Sequence, residues 1–421
     1  MSRYDSSSIK IDWFIVALYA ALVILGWLNI YAAVYDASAD SSIFDFSTNS
    51  GRQFAFIGVS VVVIVVMFLV DYSLITSFSY VFYVISIPLL IGVLFMPEVN
   101  GANSWYSLGP LKFQPSEIAK WATALTLAKY INDYNIKFKR LKSYLVVFGI
   151  ILVPIAFIIL QPDAGTVLIF LSFILAFYRE GMSPVLLIMG LAAIALVIVP
   201  LIVGKALTII FVVLLGLLII GLSLKTLKQA WLALAAMVLS IGFIISVDAV
   251  MNKVLLPHQK NRIMVLINPN IDPLGQGWNV TQSKIAIGSG GTFGKGYLEG
   301  TQTKYDFVPE QSTDFIFCTI GEEHGWLGSL LLVVLFMTLL LRIVFIAERQ
   351  KYTFARVYGY CVAGIFFFHF MVNVGMTVGL FPVIGIPLPF FSYGGSSLLS
   401  FTVLLFTLIK LDAHRNQIIT R

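Results

Sequence analysis

Charge is what this chain has least of. Asp, Glu, Lys and Arg make up 11% of its 421 residues and hydrophobic residues 59%. That balance excludes an ordinary soluble protein, because no water-soluble core absorbs so much apolar side chain. Cysteine is almost missing. Cys318 and Cys361 lie in or beside apolar runs, which excludes a disulfide framework and gives redox chemistry no support. Histidine is as sparse: His258, His324, His369 and His414 are scattered and none has the HExxH spacing, so a zinc site of that type is excluded. No long basic patch exists either. The net charge is +6, but Lys and Arg fall in short clusters between apolar segments, a pattern that speaks against nucleic acid and for the positive-inside bias of a membrane protein.

What the chain does have is apolar segments of bilayer-spanning length, at roughly 11–34, 53–70, 74–96, 115–131, 144–160, 164–179, 183–203, 206–224, 229–248, 315–345, 354–380 and 393–412. They predict an all-α polytopic integral membrane protein of about twelve spans. The first is too long for a signal-peptide core and is expected to stay as an anchor. Lys137-Phe138-Lys139-Arg140, Lys225 to Lys228, Arg349 to Lys351, Arg3, Lys10 and the tail from Lys410 to Arg421 fall on one face, which is therefore read as cytoplasmic together with both termini. The links Tyr35 to Ser50, Glu98 to Phe113 and Pro382 to Tyr393 share the opposite face. So does a long polar stretch, Asn261 to Glu323, because long loops translocate largely regardless of charge. The expected organisation is one transmembrane domain over 1–414, with an extracytoplasmic loop at 249–314 and a cytoplasmic tail at 415–421.

The external loops carry the candidate site. In NGANSWYSLGPLKFQPSEIAK, Pro115 suits a first helical turn and Glu117 with Lys120 form an i,i+3 ion pair one turn inside. Asp163 in Gln161-Pro162-Asp163 and Arg52 in Arg52-Gln53 open two further segments. Ionisable groups at that depth face a protein interior or a watery cavity, so these four either lock helix ends by pairing with one another or build a site. Within the polar stretch, Asn268 to Gly275 (NPNIDPLG) has turn chemistry twice over, which puts Asp272 on a constrained bend. It caps that turn or, as a carboxylate held at a membrane surface, serves as a general base. Gly288 to Gly296 (GSGGTFGKG) fails as a nucleotide loop: the Walker pattern needs Gly where Ser289 stands and Ser or Thr where Gly296 stands. Its backbone N–H groups, with Lys284 and Lys295, can cradle a phosphate, or the loop is a re-entrant turn.

NPNIDPLGQGWNVTQSKIAIGSGGTFGKG, GTQTKYDFVPEQSTDFIF and GEEHG, with NGANSWYSLGPLKFQPSEIAK, QPDAGT and NVGMTVGLFPVIGIPLPFFSYGGSS, closely resemble the signature of the shape, elongation, division and sporulation (SEDS) family over nearly the whole chain. Gly300-Thr301-Gln302 resembles the elongation members more than the division members. The resemblance implies a peptidoglycan glycosyltransferase that polymerises lipid II at the outer face of the inner membrane. It implies Asp272 as the catalytic carboxylate, supported by Glu117, Lys120, Asp163 and Arg52. The acceptor sugar's 4-hydroxyl must lose a proton as it attacks the donor's anomeric carbon, and one carboxylate suffices for that. The leaving lipid pyrophosphate calls for positive charge or a divalent cation such as Mg; Arg262, Lys284, Lys295 and Lys304 are the candidates. The resemblance also implies a partner, a single-span class B penicillin-binding protein transpeptidase, docking near 315–345 and 354–380. Family members have about ten spans, so the stretch at 205–248 reads as an inserted helical hairpin. His324 is a second departure. A lipid-linked oligosaccharide flippase and a non-catalytic scaffold are the readings from other classes, and a division-type role is the alternative within the family.

Overall fold

The computed structural model describes residues 10–35, 42–98, 101–109, 111–138, 140–222, 227–253, 257–266, 271–272, 275–305 and 307–415. Arg3, Lys139, Lys225, the turn residues Asn268, Pro269, Asn270, Pro273 and Leu274, and the tail from 416 lie outside them. Among these residues the fold is all-α apart from one small hairpin. Its helices begin where the sequence supplies caps. Asp12 opens α1 (Trp13–Val34), Thr48 opens α2 (Asn49–Leu69) and Asp71 opens α3 (Tyr72–Ser77), each accepting a backbone N–H of the first turn. There follow α4 (Ser79–Gly92), the antiparallel pair β1 (Tyr106–Leu108) and β2 (Leu111–Phe113), and α5 (Pro115–Asp133), with proline in the first turn, where its missing N–H costs nothing. α6 (Leu141–Leu160), α7 (Ala164–Phe170, capped by Asp163) and α8 (Ile174–Arg179) complete the first half.

Two compact units divide the chain, Met1–Met182 with Thr281–Arg421, and Ser183–Val280. The second holds α9 (Pro184–Val203), α10 (Lys205–Leu222), α11 (Leu227–Lys253) and α12 (Pro257–Met264). α10 and α11 pack side by side, and Lys205 Nζ donates to Asp248 Oδ2 at 2.7 Å. α13 (Gln276–Ser289) starts in this unit and ends in the first.

The first unit continues with α14 (Thr301–Lys304), α15 (Ile316–Glu323), α16 (Gly325–Glu348), α17 (Thr353–Thr377) and α18 (Gly395–Ala413). α17 packs on α5, α8, α16 and α18, and α18 on α2 and α5. α17 and α18 are therefore mostly buried while α2 presents its length outward. At one end of the bundle Asp12 accepts from Arg342 and Arg349, and Arg349 also pairs with Asp412, tying α1, α16 and α18.

Nine helices among the described residues are long and apolar enough to cross a membrane, and Ser79–Phe95 and Ala164–Arg179 are shorter apolar helices. α5 is too polar for that class because it carries Glu117, Lys120, Lys129 and Asp133. The chain is a multi-pass membrane protein. Three predicted spans are each divided: 74–96 into α3 and α4, 164–179 into α7 and α8, and 315–345 into α15 and α16. The chain turns at Gly325, whose φ is +64°, so α15 lies outside the long apolar helix that follows.

Candidate active site

Asp272 sits on a bend immediately before α13. Gly275 N–H donates to the Asp272 carbonyl at 3.3 Å, and a Cβ on Gly275 would stand 2.5 and 2.6 Å from the two carboxylate oxygens of Asp272. Only glycine lets that carboxylate lie over the start of the helix. The start of a helix favours negative charge, because its first N–H groups have no partner within the helix.

In the first unit, α5 carries an ion pair buried from both sides. Lys120 Nζ donates to Glu117 Oε1 at 2.8 Å, and both side chains are almost fully buried. Glu117 Oε2 has no hydrogen-bond partner among the described residues. Asp163 is tied to the same helix start: Gln114, the residue preceding α5, donates Nε2–H to Asp163 Oδ2 at 2.9 Å, and Thr166 donates its N–H and its hydroxyl. Of Arg52, Glu117, Lys120 and Asp163, then, only Glu117 and Lys120 pair with each other. Arg52 turns away, donating Nε–H to the Phe46 carbonyl at 3.1 Å on the surface.

The glycine-rich loop is held by backbone pairing. Lys295 N–H and Gly296 N–H donate to the Glu322 and Glu323 carbonyls, and Trp326 N–H and Leu327 N–H donate back to Gly291 and Thr292. Glu322 collects the next segment: its carboxylate accepts from Lys295 Nζ at 2.6 Å and from the N–H groups of Gln302 and Thr303. Burial pushes its carboxyl up, but these donors outweigh burial and hold it below the ordinary value. Glu323 lacks such help. Burial pushes it up to about 7, opposed by one N–H, from Leu298, and reinforced by the charge on Glu322. Glu322 and Glu323 are absent from the site residues read in the sequence. The signal the sequence offered was two consecutive carboxylates, in GEEHG, at the edge of an apolar run.

The four candidate cations separate by their partners. Lys295 is committed to Glu322 and to the Thr301 hydroxyl. Lys304 lies 5.8 Å from the centroid of the Tyr35 ring. Lys284 is exposed on α13, and Arg262 on α12 buries its Nε without a hydrogen-bond partner among the described residues. No three His, Cys, Asp or Glu side chains lie together as a metal site among the described residues. The donors among the described residues therefore form no dedicated cage, and the mechanism proposed for the reaction uses no divalent cation.

The model of the cell cycle protein family that groups FtsW, RodA and SpoVE matches residues 12–206 and 177–417. This chain belongs to that family. As a SEDS protein it is 33% identical over 399 residues to the peptidoglycan glycosyltransferase MrdB of Escherichia coli K12, covering 94% of each chain. It is 33% identical over 430 residues to the peptidoglycan glycosyltransferase RodA of Treponema pallidum, covering 96% of this chain and 98% of that one. Among solved structures it resembles a chain of a peptidoglycan synthase complex described as coordinating polymerization and crosslinking, with TM-score 0.72 and 29% identity over 98% of this chain and all of that one. It also resembles the Thermus thermophilus rod shape determining protein RodA, with TM-score 0.62 and 25% identity over 97% and 98% of the two chains.

Proposed function

We infer that this SEDS protein is a peptidoglycan glycosyltransferase of the elongation type, joining lipid II units into glycan strands. The observation that carries the mechanism is the Asp272 carboxylate over the start of α13, a position that only Gly275 permits. Asp272 takes the proton from the acceptor's 4-hydroxyl as that oxygen bonds to the donor's anomeric carbon, and the bond to the lipid pyrophosphate breaks with its electron pair leaving on phosphate. Arg262, Lys284 and Lys304 are the cations offered to the departing charge; Lys295 serves the fold through Glu322. By the family resemblance, the Glu117–Lys120 pair and Asp163 serve the same reaction. The chain lies in the cytoplasmic (inner) membrane with both termini inside, and the stretch 205–248 is an inserted hairpin of a single transmembrane domain.

The test is polymerisation of labelled lipid II by the purified protein with its cognate transpeptidase, wild type beside Asp272→Asn, read as glycan ladders. Ladders from wild type and none from a folded variant are expected; ladders from both would remove Asp272 as the base. The partner we propose is a class B penicillin-binding protein that seats its single span on the outward face of α16, where Leu327, Leu330, Leu331 and Val334 are exposed. Leu331→Trp is expected to reduce copurification, and unchanged copurification would move the docking surface elsewhere.

A further inference from the structure

His369 on α17 lies where three elements meet. Its Nε2 is 3.0 Å from Lys120 Nζ, and its Nδ1 is 3.0 Å from the Pro387 carbonyl. The ring is 2% exposed, and the Phe401 ring covers it edge to face at 4.8 Å. The donor roles follow from valence. A carbonyl oxygen only accepts, so Nδ1 carries the hydrogen; an ammonium only donates, so Nε2 presents its lone pair. An imidazolium here would set an N–H against an NH3 group. His369 is thus the neutral Nδ1–H tautomer, and Lys120 is shared between Glu117 Oε1 and His369 Nε2.

The Pro387 end is also fixed. Asn373, one turn further along α17, donates to the carbonyls of Ile386 and Asp314 at 2.7 and 2.8 Å. Ser392 accepts from Leu388 N–H and donates to the Thr313 carbonyl. The non-helical strap from Ile386 to Ser392 is thereby anchored to α17, and His369 carries that anchorage across to α5. We propose that His369 is a positioning residue for the glycosyltransferase reaction: a neutral imidazole that holds the Lys120 ammonium on Glu117 and registers that pair with the strap. This rests on the reading of the Glu117–Lys120 pair as part of the polymerase site.

Two amides separate the imidazole's two bonds. Glutamine places an acceptor near the Nε2 position, and asparagine places a donor near Nδ1. The full-length protein with its cognate transpeptidase is assayed on lipid II as wild type, His369→Gln, His369→Asn, His369→Leu and Lys120→Met, with Asp272→Asn as control and the melting temperature of each recorded. Lys120→Met, His369→Leu and His369→Asn are expected to lose roughly 10- to 100-fold in kcat, the range that a displaced polar group costs, with KM little changed; His369→Gln is expected to restore most of kcat. Active His369→Asn with inactive His369→Gln would assign the ring to Pro387 alone and overturn the proposal. Wild-type kcat in His369→Leu beside inactive Lys120→Met would overturn it while leaving the pair in the site. Wild-type kcat in Lys120→Met would remove the pair's role, and the inference with it, without touching Asp272. Should the variants fail to fold, nitrogen-15 resonances of the His369 ring in the wild type decide: hydrogen on Nδ1 with a bare Nε2 is expected, and hydrogen on Nε2 overturns the assignment.

Discussion

Asp272 and Gly275 act as one unit, since the carboxylate occupies the space a side chain at 275 would fill. The obstructing atoms are the far end of a flexible side chain, so Gly275→Ala is expected to move the carboxylate and leave the bend in place. Lipid II polymerisation should fall roughly 10- to 100-fold while the melting temperature hardly changes; equal losses of activity and stability would assign Gly275 to the fold. Glu323 yields a prediction of another kind. Its carboxyl is raised from 4.5 to about 7 by burial, so the folded state favours the protonated form. That contribution is complete below 4.5 and is lost as pH rises through about 7. Glu322 is shifted the other way and loses its contribution only at more acid pH. Glu323→Gln keeps a neutral acceptor for Leu298, so thermal unfolding from about pH 5 to about pH 8 should show a decline in wild type that the variant lacks, worth roughly 2–3 kcal/mol. At this scale the sequence revealed residue types and turn chemistry. It did not reveal that Lys295 serves Glu322, or that Arg52 turns to a backbone carbonyl, because both partners are chosen by tertiary packing.

Helices α15 and α16 form one apolar run in the sequence and two elements in space. Hydropathy averages over a window and is blind to one residue of positive φ, which is why the span read at 315–345 hides the turn at Gly325. A Cβ there would collide with Gly294 N and the Thr292 backbone, so the glycine-rich loop fits against the turn only if neither chain has a side chain in the way. Gly325→Ala is expected to cost roughly 1–3 kcal/mol through left-handed strain and lost loop packing, read as a lower melting temperature; an unchanged value would show that the loop is not needed for the turn. The helices themselves were legible, because apolar length, capping residues and proline at N1 are local properties. α5 was legible too, although polar, since its charges are three residues apart and pair within the helix.

For the molecule as a whole, the proposed inserted hairpin raises a question of economy. Lys205 and Asp248 form an ion pair at 2.7 Å, so the two ends of the stretch lie together, as the ends of an insertion must. Replacing 206–247 with a short Gly-Ser linker removes an even number of spans. The C-terminal tail is then expected to keep its side of the membrane, reported by a terminal fluorescent tag, and lipid II polymerisation to persist; a tag on the opposite side would show that the stretch is not a two-span insertion. The buried pair on α5 bears on how such a chain is made at all. Glu117 and Lys120 emerge from the ribosome together and neutralise each other within one turn, so α5 can enter the bilayer without carrying net charge. His369 follows 249 residues later. The bond between them is a late event of biogenesis, closing only after α17 has been delivered, and a truncated nascent chain would hold the ion pair without its registration.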